Sequence, residues 1–251
     1  MSSHQSHAEG DGAQGVFNRR FLFCDNLQNW AENAGDLILA CPQCWRFSAR
    51  CCQHLSTEEE RSCHQYQLAF TDGACLSNGQ TGATAGIGVA IGAQEGGFHQ
   101  LSIPIDDSID AYPKRSSQRA ELLAAIHGLR ALGAAKKNTD AEEPQERKLP
   151  RTYRSRPLDR SCWVITTDSE YVVKGMTEWF PQWKANGWRG AQGRRPSNLD
   201  LFQQLDKEID IQERRHKVNI GFWHVPREFN GLADSLAKRA ARIAPAAMLV
   251  G

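Results

Sequence analysis

The sequence predicts an α/β fold in which a mixed five-stranded sheet is flanked by helices on both faces. Three apolar, strand-like runs, at 66–72, 87–92 and 99–105, follow one another with only turns between them. Beyond them, two further strand-like runs alternate with stretches whose apolar residues recur at helical spacing. Consecutive strands followed by strand–helix alternation indicate antiparallel and parallel pairing within one helix-covered sheet.

The first half of this pattern is readable element by element. The first strand ends in Asp72, and a Gly-rich turn leads from it to the second strand, "IGVAIG". The third strand, "HQLSIPI", precedes the helix "SQRAELLAAIHGLRAL", whose apolar residues recur at helical spacing. Ser117 stands where an N-cap is expected, and Glu121 falls in the early turns of the helix.

The second half repeats the alternation. The strand "CWVITTDS" leads into a helix that opens at Ser169, and a loop rich in Gly and Arg separates it from "LDLFQQLDKEIDIQER". That helix carries Leu201, Leu205 and Ile209 on one face. The last strand, "VNIGFWHV", passes through "PREFN" into the final helix, "GLADSLAKRAARIA".

Composition divides the chain into regions. Residues 1–18 are polar and Gly-rich and are predicted to be disordered. Six of the eight cysteines fall within 19–64, a Cys-rich extension, and 65–245 forms the regular domain. Within that domain, 134–160 carries many charges of both signs without an apolar period, which predicts a disordered insertion.

Charge and hydropathy narrow the classes of protein. The formal net charge is only +1, so a nucleic-acid partner would have to be bound by a local basic patch. No apolar run approaches the ~20 residues that span a bilayer, and the N-terminus resembles neither a signal peptide nor a presequence. We therefore expect a soluble, intracellular monomer without a membrane partner, in either the nucleus or the cytoplasm.

Four carboxylates stand at strand ends or early in helices: Asp72, Glu121, Asp168 and Asp234. Each has an ordinary structural explanation by itself. An Asp before Gly favours a turn, and an acid in the first turn of a helix is stabilised by the helix dipole. Individually, these positions do not identify a site.

In combination, the stretches that carry these acids resemble the ribonuclease H family, type 1. The match extends from Tyr66 to about Ile243 apart from the charged insertion, and its motifs occur in the family's order. The matching stretches are "TDGACLSNG", "SSQRAELLAAI", "TTDSEYVVKGMTEWFPQWKANGW", "RRPSNLDLFQQLDKEI" and "VPREFNGLADSLAKRAA".

The resemblance implies a ribonuclease H-like fold and an endonuclease that cuts the RNA strand of an RNA–DNA hybrid. In the family the four matching acids hold two divalent ions, here expected to be Mg²⁺ or Mn²⁺. In-line attack by water builds charge on the attacking and leaving oxygens, and two ions about 4 Å apart can stabilise both. Little sequence preference is expected, because A-form-like duplexes are recognised through shape, phosphates and 2′-hydroxyls.

The same resemblance implies substrate contacts. Asn78, Ser117 and Gln118 match positions that touch the minor groove, although Ser117 replaces an Asn that is common there. The tract 174–195 matches a basic protrusion that grips the DNA strand; alternatively, its Trp residues only pack a helix into the core. The predicted contact set is Gly73, Asn78, Lys114, Ser116, Ser117, Gln118, Trp179, Trp183, Lys184, Trp188 and Asn198.

One feature departs from the family pattern. Many members carry a histidine in the loop before the last acid, whereas "VPREFN" contains none. His224, directly upstream, is interpreted as a strand residue, and Arg227 is a candidate for part of the role. The departure weakens the expectation of fast turnover. The alternative function is a non-catalytic binder of hybrids or duplexes, which a cluster of acids facing phosphate does not favour.

The extension contains a C-x-x-C motif within "CPQCWRFSARCCQHL", with Cys63 and His64 beyond it. Four of these side chains could form a tetrahedral structural Zn²⁺ site, which would make the extension an interaction or targeting module. Alternatively, several cysteines are small buried apolar residues. The predicted zinc ligands are Cys41, Cys44, Cys51 and either Cys52 or His54.

Overall fold

The computed structural model describes residues 13–52, 63–78, 80–94, 99–142 and 160–245. The strands in these ranges are β1 Gly15–Phe17, β2 Arg20–Leu22, β3 Ile38–Ala40, β4 Phe47–Ala49, β5 Tyr66–Leu76, β6 Thr84–Ala90, β7 Gln100–Ile105, β8 Cys162–Thr167 and β9 Asn219–His224. The α-helices are α1 Asp25–Trp30, α2 Ser117–Glu142, α3 Glu170–Lys174, α4 Phe180–Ala185, α5 Leu199–His216 and α6 Gly231–Ile243. None of the described helices combines the length and apolar character that crossing a bilayer requires.

The five predicted strands form the centre of a mixed sheet, which confirms the predicted α/β class. β5, β6 and β7 pair antiparallel in sequence order, whereas β8 lies parallel to both β5 and β9. Antiparallel neighbours can be joined by turns, but parallel neighbours need a crossover, and here helices provide it. The order of these five strands across the sheet is therefore β7-β6-β5-β8-β9.

Helices cover both faces because side chains alternate along each strand. On β5, Ala69 belongs to the apolar cluster shared with α2 and α5, while Leu68 and Phe70 belong to a second cluster on the opposite face. The second cluster includes Ala233 and Leu236 of α6. The sheet is thus enclosed between α2 and α5 on one side and α6 on the other.

The Cys-rich extension belongs to the same sheet. β2 pairs parallel to β9, β4 pairs antiparallel to β5 through Ser48 and Gln67, and the described sheet has nine strands. Phe21 and Leu27, both buried, join the second apolar cluster with Leu68. The extension therefore shares the core of the domain that follows it.

Several sequence-based boundaries are wrong. The first strand was predicted to end at Asp72, but β5 continues to Leu76. Disorder was predicted through residue 18, but Gly15–Phe17 forms β1 against β2. The insertion was predicted to begin at 134, but α2 continues to Glu142; the rest of it, 143–159, lies outside the described residues. The predicted cap at Ser117 is shifted by one residue, because the Ser116 Oγ accepts from the Arg119 N–H at 3.3 Å, as an N-cap side chain does.

Candidate active site

The sheet register brings the first and third predicted acids together. Phe70 of β5 pairs with Thr166 of β8 in parallel register, and Asp72 and Asp168 each lie two residues further along. Because β5 and β8 pair in parallel register, these two carboxylates are neighbours at the edge of the sheet where β8 ends. A surface cleft at this edge is lined by Asp72, Glu121, Asp168 and Asp234, together with Ser117, Ser169, Arg227 and Lys238.

Two glycines allow the helices that carry the other acids to approach the sheet. A Cβ at Gly73 would lie 2.2 Å from backbone atoms of Ala120 and Glu121, so only glycine allows α2 to come this close. Gly88, paired with Asp72 across β5 and β6, plays the same role for α6, since its Cβ would lie 2.0 Å from the Ala233 carbonyl oxygen. The close approach of α2 places Glu121 in the cleft.

Two buried polar side chains hold the carboxylates in place, and neither was predicted from the sequence. Asn230 Nδ2 donates to Asp168 Oδ1 at 2.7 Å and is also 3.1 Å from the Thr71 carbonyl oxygen. Ser169 Oγ donates to Glu121 Oε2 at 2.6 Å while accepting from the Val172 N–H, so it also caps α3. The sequence offered one signal for these two residues. Each stands at the start of a helix, and Ser169 directly follows Asp168.

Two basic side chains form ion pairs with Asp234. Arg227 Nη2 lies 3.1 Å from its Oδ1, and Lys238 Nζ lies 2.8 Å from its Oδ2. Both basic side chains are largely exposed at the cleft, whereas the Asp234 carboxylate is mostly covered. The structure thus places Arg227, the candidate replacement for the absent loop histidine, against the last acid, while His224 is exposed at the end of β9.

The cleft concentrates negative charge. The pKa of Asp72 is raised from 3.8 to about 7, first by burial and then by the neighbouring Asp168, Asp234 and Glu121, against a lowering hydrogen bond from the Gly73 N–H. The pKa of Glu121 is also raised, first by burial and then by Asp168, although the Ser169 hydrogen bond lowers it. A bound cation would relieve both effects because it favours the charged carboxylates.

The spacing of the four acids bears on how many ions they can hold. No three of them bring carboxylate oxygens within 4.8 Å of one another, although all four are among the described residues. Oxygens around a single Mg²⁺ ion lie about 3 Å apart, given Mg–O distances of ~2.1 Å. Hard carboxylate donors suit Mg²⁺ or Mn²⁺, and their spacing is wider than a single ion would require.

Several predicted substrate contacts gather at the start of α2. The Ser117 N–H donates to Asn78 Oδ1 at 3.2 Å, which joins the turn after β5 to the helix. Lys114 and Gln118 are exposed there, and Ser116 caps the helix. Polar groups therefore flank the acidic cleft.

The tract 174–195, predicted to form a basic protrusion, lines part of a groove. Trp188 lines it with Arg189, Arg195 and Gln203. Trp188 also packs on Phe180, with ring centroids 5.4 Å apart. The aromatic residues thus both support the core and border a basic groove.

The other predicted residues of this tract lie beside it. Trp183 packs on Phe202 at 5.2 Å and lies 6.2 Å from the half-buried Trp179. Lys184 is exposed and lies 3.6 Å from the Asp206 carboxylate.

Asn198 lies in a network that ties the start of α2 to the start of α5. Its Nδ2 donates to the Tyr171 hydroxyl at 3.0 Å, and it adopts a left-handed backbone conformation, φ 56°, directly before α5. The buried Arg119 on α2 forms a bidentate pair with Asp110 and also contacts Asp200 at 2.8 Å. The start of α2 is thereby fastened to the start of α5.

The structure separates the predicted zinc ligands. Cys41 and Cys44 lie together, and their partner is His64 instead of Cys51 or Cys52. Cys51 is buried in the second apolar cluster and Cys52 packs against it, so the set proposed from spacing is wrong on these two residues. His54 lies outside the described residues.

Comparison with known proteins agrees with this geometry. A family model described as RNase H matches residues 64–242. The ribonuclease H of Idiomarina loihiensis is 34% identical over 182 residues, covering 70% of this chain and 88% of that protein. The ribonuclease H of Marinobacter nauticus is 34% identical over 184 residues, covering 70% and 93%.

Among solved structures, LC11-RNase H1 in complex with an RNA/DNA hybrid has a TM-score of 0.41 and 22% identity over 70% of this chain and 96% of that chain. The family assignment depends on the sequence matches, which span most of the domain and nearly the whole of each relative. This chain belongs to the ribonuclease H family.

Proposed function

We propose that this endoribonuclease cuts the RNA strand of RNA–DNA hybrids at the cleft, where Asp72, Glu121, Asp168 and Asp234 would hold two divalent ions, Mg²⁺ or Mn²⁺. The ribonuclease H activity follows from family membership. The observation that supports the site is the convergence of four acids, carried by strand β5, the end of strand β8 and two helices, in one cleft. Nothing favours the alternative of a non-catalytic binder, since acids facing phosphate weaken binding unless they hold cations.

The donor set fits hard divalent ions. Its ligands are carboxylates, and burial, followed by the repulsion of the neighbouring acids, raises the pKa of Asp72, an effect that bound cations would offset. Two ions can share a longer row of carboxylates than one ion can. When bound, such ions would lower the pKa of the attacking water and stabilise the charge on the leaving oxygen.

The surrounding residues would orient the acids and admit the substrate. Asn230 and Ser169 restrict the rotamers of Asp168 and Glu121 through direct hydrogen bonds. Arg227 and Lys238 place positive charge at the mouth of the cleft, which favours the approach of a polyanion.

Recognition of the hybrid is proposed to depend on its shape. The polar groups at the start of α2 offer hydrogen bonds to sugar hydroxyls and phosphates, and a helix N-terminus favours anions. The groove beside Trp188 offers a stacking surface with basic residues for the DNA backbone. Contacts to sugars, phosphates and the faces of stacked bases do not distinguish one base from another, so sequence preference would be slight.

The test compares cleavage of end-labelled RNA–DNA hybrid, double-stranded RNA and double-stranded DNA by the full chain, with Mg²⁺ or with EDTA. We expect cleavage of the RNA strand of the hybrid only, arrest by EDTA and recovery with Mg²⁺ or Mn²⁺. Asp168→Asn should abolish cleavage while circular dichroism stays unchanged. The control is Asp210→Asn, which removes an acid from an exposed pair on α5, away from the cleft.

Binding of the same labelled hybrid, measured in Ca²⁺ or EDTA, separates the two functions. Binding without cleavage by the unmodified chain in Mg²⁺ would support the binder. Full cleavage by Asp168→Asn would contradict the assignment of the reaction to this cleft.

A further inference from the structure

Outside the active cleft, three metal-binding side chains meet beside the start of β5. The Sγ atoms of Cys41 and Cys44 and a ring nitrogen of His64 all lie within 4.8 Å of one another. Cys44 Sγ and His64 Nε2 are 3.3 Å apart. Ligands of a tetrahedral zinc ion, with Zn–S of about 2.3 Å and Zn–N of about 2.0 Å, lie roughly 3.5–3.8 Å apart. The three atoms are therefore close to the spacing that one zinc ion needs.

The backbone around the two cysteines forms a closed turn, and their Sγ atoms lie close together. The Trp45 N–H donates to the Cys41 carbonyl at 2.8 Å, and the Cys41 N–H donates to the Arg46 carbonyl at 2.9 Å. Trp45 adopts a left-handed conformation, φ 60°, which is unfavourable for a large side chain. Such strain persists only where the surroundings impose it, and it is common at functional sites.

The turn is firmly attached to the domain that carries the active cleft. The Trp45 carbonyl accepts from the Ala93 N–H just beyond β6, and the buried Arg46 donates to the Ala135 carbonyl of α2 at 2.7 Å. His64 lies two residues before β5, the strand that carries Asp72. The thiols and the imidazole therefore belong to different parts of the chain, Cys44 and His64 being 20 residues apart.

We propose that Cys41, Cys44 and His64 bind a Zn²⁺ ion that fastens the N-terminal extension to the start of β5. Two sulfur donors and one imidazole favour zinc over Mg²⁺ or Ca²⁺, which take oxygen ligands. The cysteines bind as thiolates and release their protons, and water or a small anion fills the fourth position. By closing the loop between residues 44 and 64, the ion holds strands β3 and β4 against the domain.

The proposal is tested by counting metal on the full chain. Protein purified with zinc and dialysed against metal-free buffer is analysed by mass spectrometry for elements, in an Asp168→Asn background that weakens zinc binding to the acidic cleft. We expect about one zinc per chain. Cobalt substitution should give the visible and near-ultraviolet bands of tetrahedral Co²⁺ with thiolate ligands. Removal of the metal should lower the melting temperature, because binding favours the folded state.

Variants assign the ligands. Cys44→Ser should lose the zinc and the cobalt–thiolate band. Cys52 has similar exposure and does not belong to the group of Cys41, Cys44 and His64, so Cys52→Ser should retain both. His64→Ala is a second variant at an exposed position, so it should fold even if a cysteine variant does not.

Three results would overturn the proposal. The first is that the unmodified chain contains no zinc. A disulfide between Cys41 and Cys44, detected by mass spectrometry, would count as the same result. The second is zinc retained in both Cys44→Ser and His64→Ala. The third is equal loss of zinc in Cys52→Ser.

Discussion

Replacing Asp72 by Asn removes a carboxyl whose ionisation opposes folding. Its pKa rises from 3.8 to about 7, first because the side chain is buried and then because Asp168, Asp234 and Glu121 lie nearby. The amide of Asn has nearly the same shape and carries no charge. The substitution therefore isolates the electrostatic cost of the acid in the metal-free protein.

The direction of the pH dependence follows from proton binding. A carboxyl with a higher pKa in the folded chain than in the unfolded chain binds protons more tightly when folded. Its contribution to the free energy of unfolding is therefore greatest below about pH 4, falls as the pH rises towards 7, and is constant above that. Asp72→Asn should match the unmodified protein near pH 4, exceed its stability increasingly up to about pH 7, and keep a constant advantage from there to pH 8.

The gain in the free energy of unfolding of Asp72→Asn has an upper limit. Each pKa unit corresponds to about 1.36 kcal/mol, so a rise from 3.8 to about 7 sets an upper limit of roughly 4 kcal/mol. The acids share their repulsion and water reaches the open cleft, so a gain of about 2–4 kcal/mol above pH 7 is expected. For a chain of this size, each kcal/mol raises the melting temperature by about 2–4 °C.

The assay is urea unfolding in EDTA at pH values from 4 to 8, with Mg²⁺ added in a parallel series. Asp106→Asn is the control of opposite sign, because a hydrogen bond from Ser108 lowers the pKa of Asp106. That variant should be no more stable than the unmodified protein at neutral pH. Mg²⁺ should stabilise the unmodified protein more than Asp72→Asn and so narrow the difference.

A difference between Asp72→Asn and the unmodified protein that stays constant from pH 4 to pH 8 would refute the reasoning. So would a variant that is less stable at pH 8. Either result would mean that the cleft does not destabilise the charged form of Asp72.

Three further predictions concern the supports of the cleft and the core that the extension shares with the domain. Asn230→Ala removes the hydrogen bond to Asp168 and should lower kcat by about 10–100-fold with little change in KM, measured by hybrid cleavage. Gly73→Ala inserts a Cβ 2.2 Å from the Ala120 backbone and should cost about 2 kcal/mol or more in urea unfolding. Phe21→Ala empties a site in the shared core and should cost about 3–5 kcal/mol in a single cooperative transition.

Each of these has an outcome that would count against it. An unchanged kcat for Asn230→Ala would deny its role in orienting Asp168. Unaltered stability of Gly73→Ala would mean that α2 can retreat from β5 at no cost. A separate early transition for Phe21→Ala would show that the extension unfolds independently of the domain.

The five central strands could be predicted because their apolar residues recur over six or more positions, which is a local signal. The strands of the extension could not be predicted, since each spans only three residues, too few to show a period. They exist through pairing with β9 and β5, which are distant in sequence. Likewise, the charged start of the insertion gave no sign that α2 continues to Glu142.

The same division holds for the sites. The resemblance of the motifs to the ribonuclease H family identified the four acids, since the position of each acid by itself had an ordinary structural explanation. The partners Asn230 and Ser169 were missed, since their contacts with Asp168 and Glu121 form only when β8, α2 and α6 pack together. Among the cysteines, spacing identified the C-x-x-C pair, but strand pairing decided which side chain lies opposite it.

By itself, the sequence determined the class of fold, the family and the acidic residues, because these depend on local periodicity and on motifs along the chain. Tertiary structure decided how the extension joins the sheet, which polar groups orient the acids, and that His64 meets the thiols. Those features depend on distances between residues far apart in the chain, and such distances are set by strand register and by the close approach of helices at glycine.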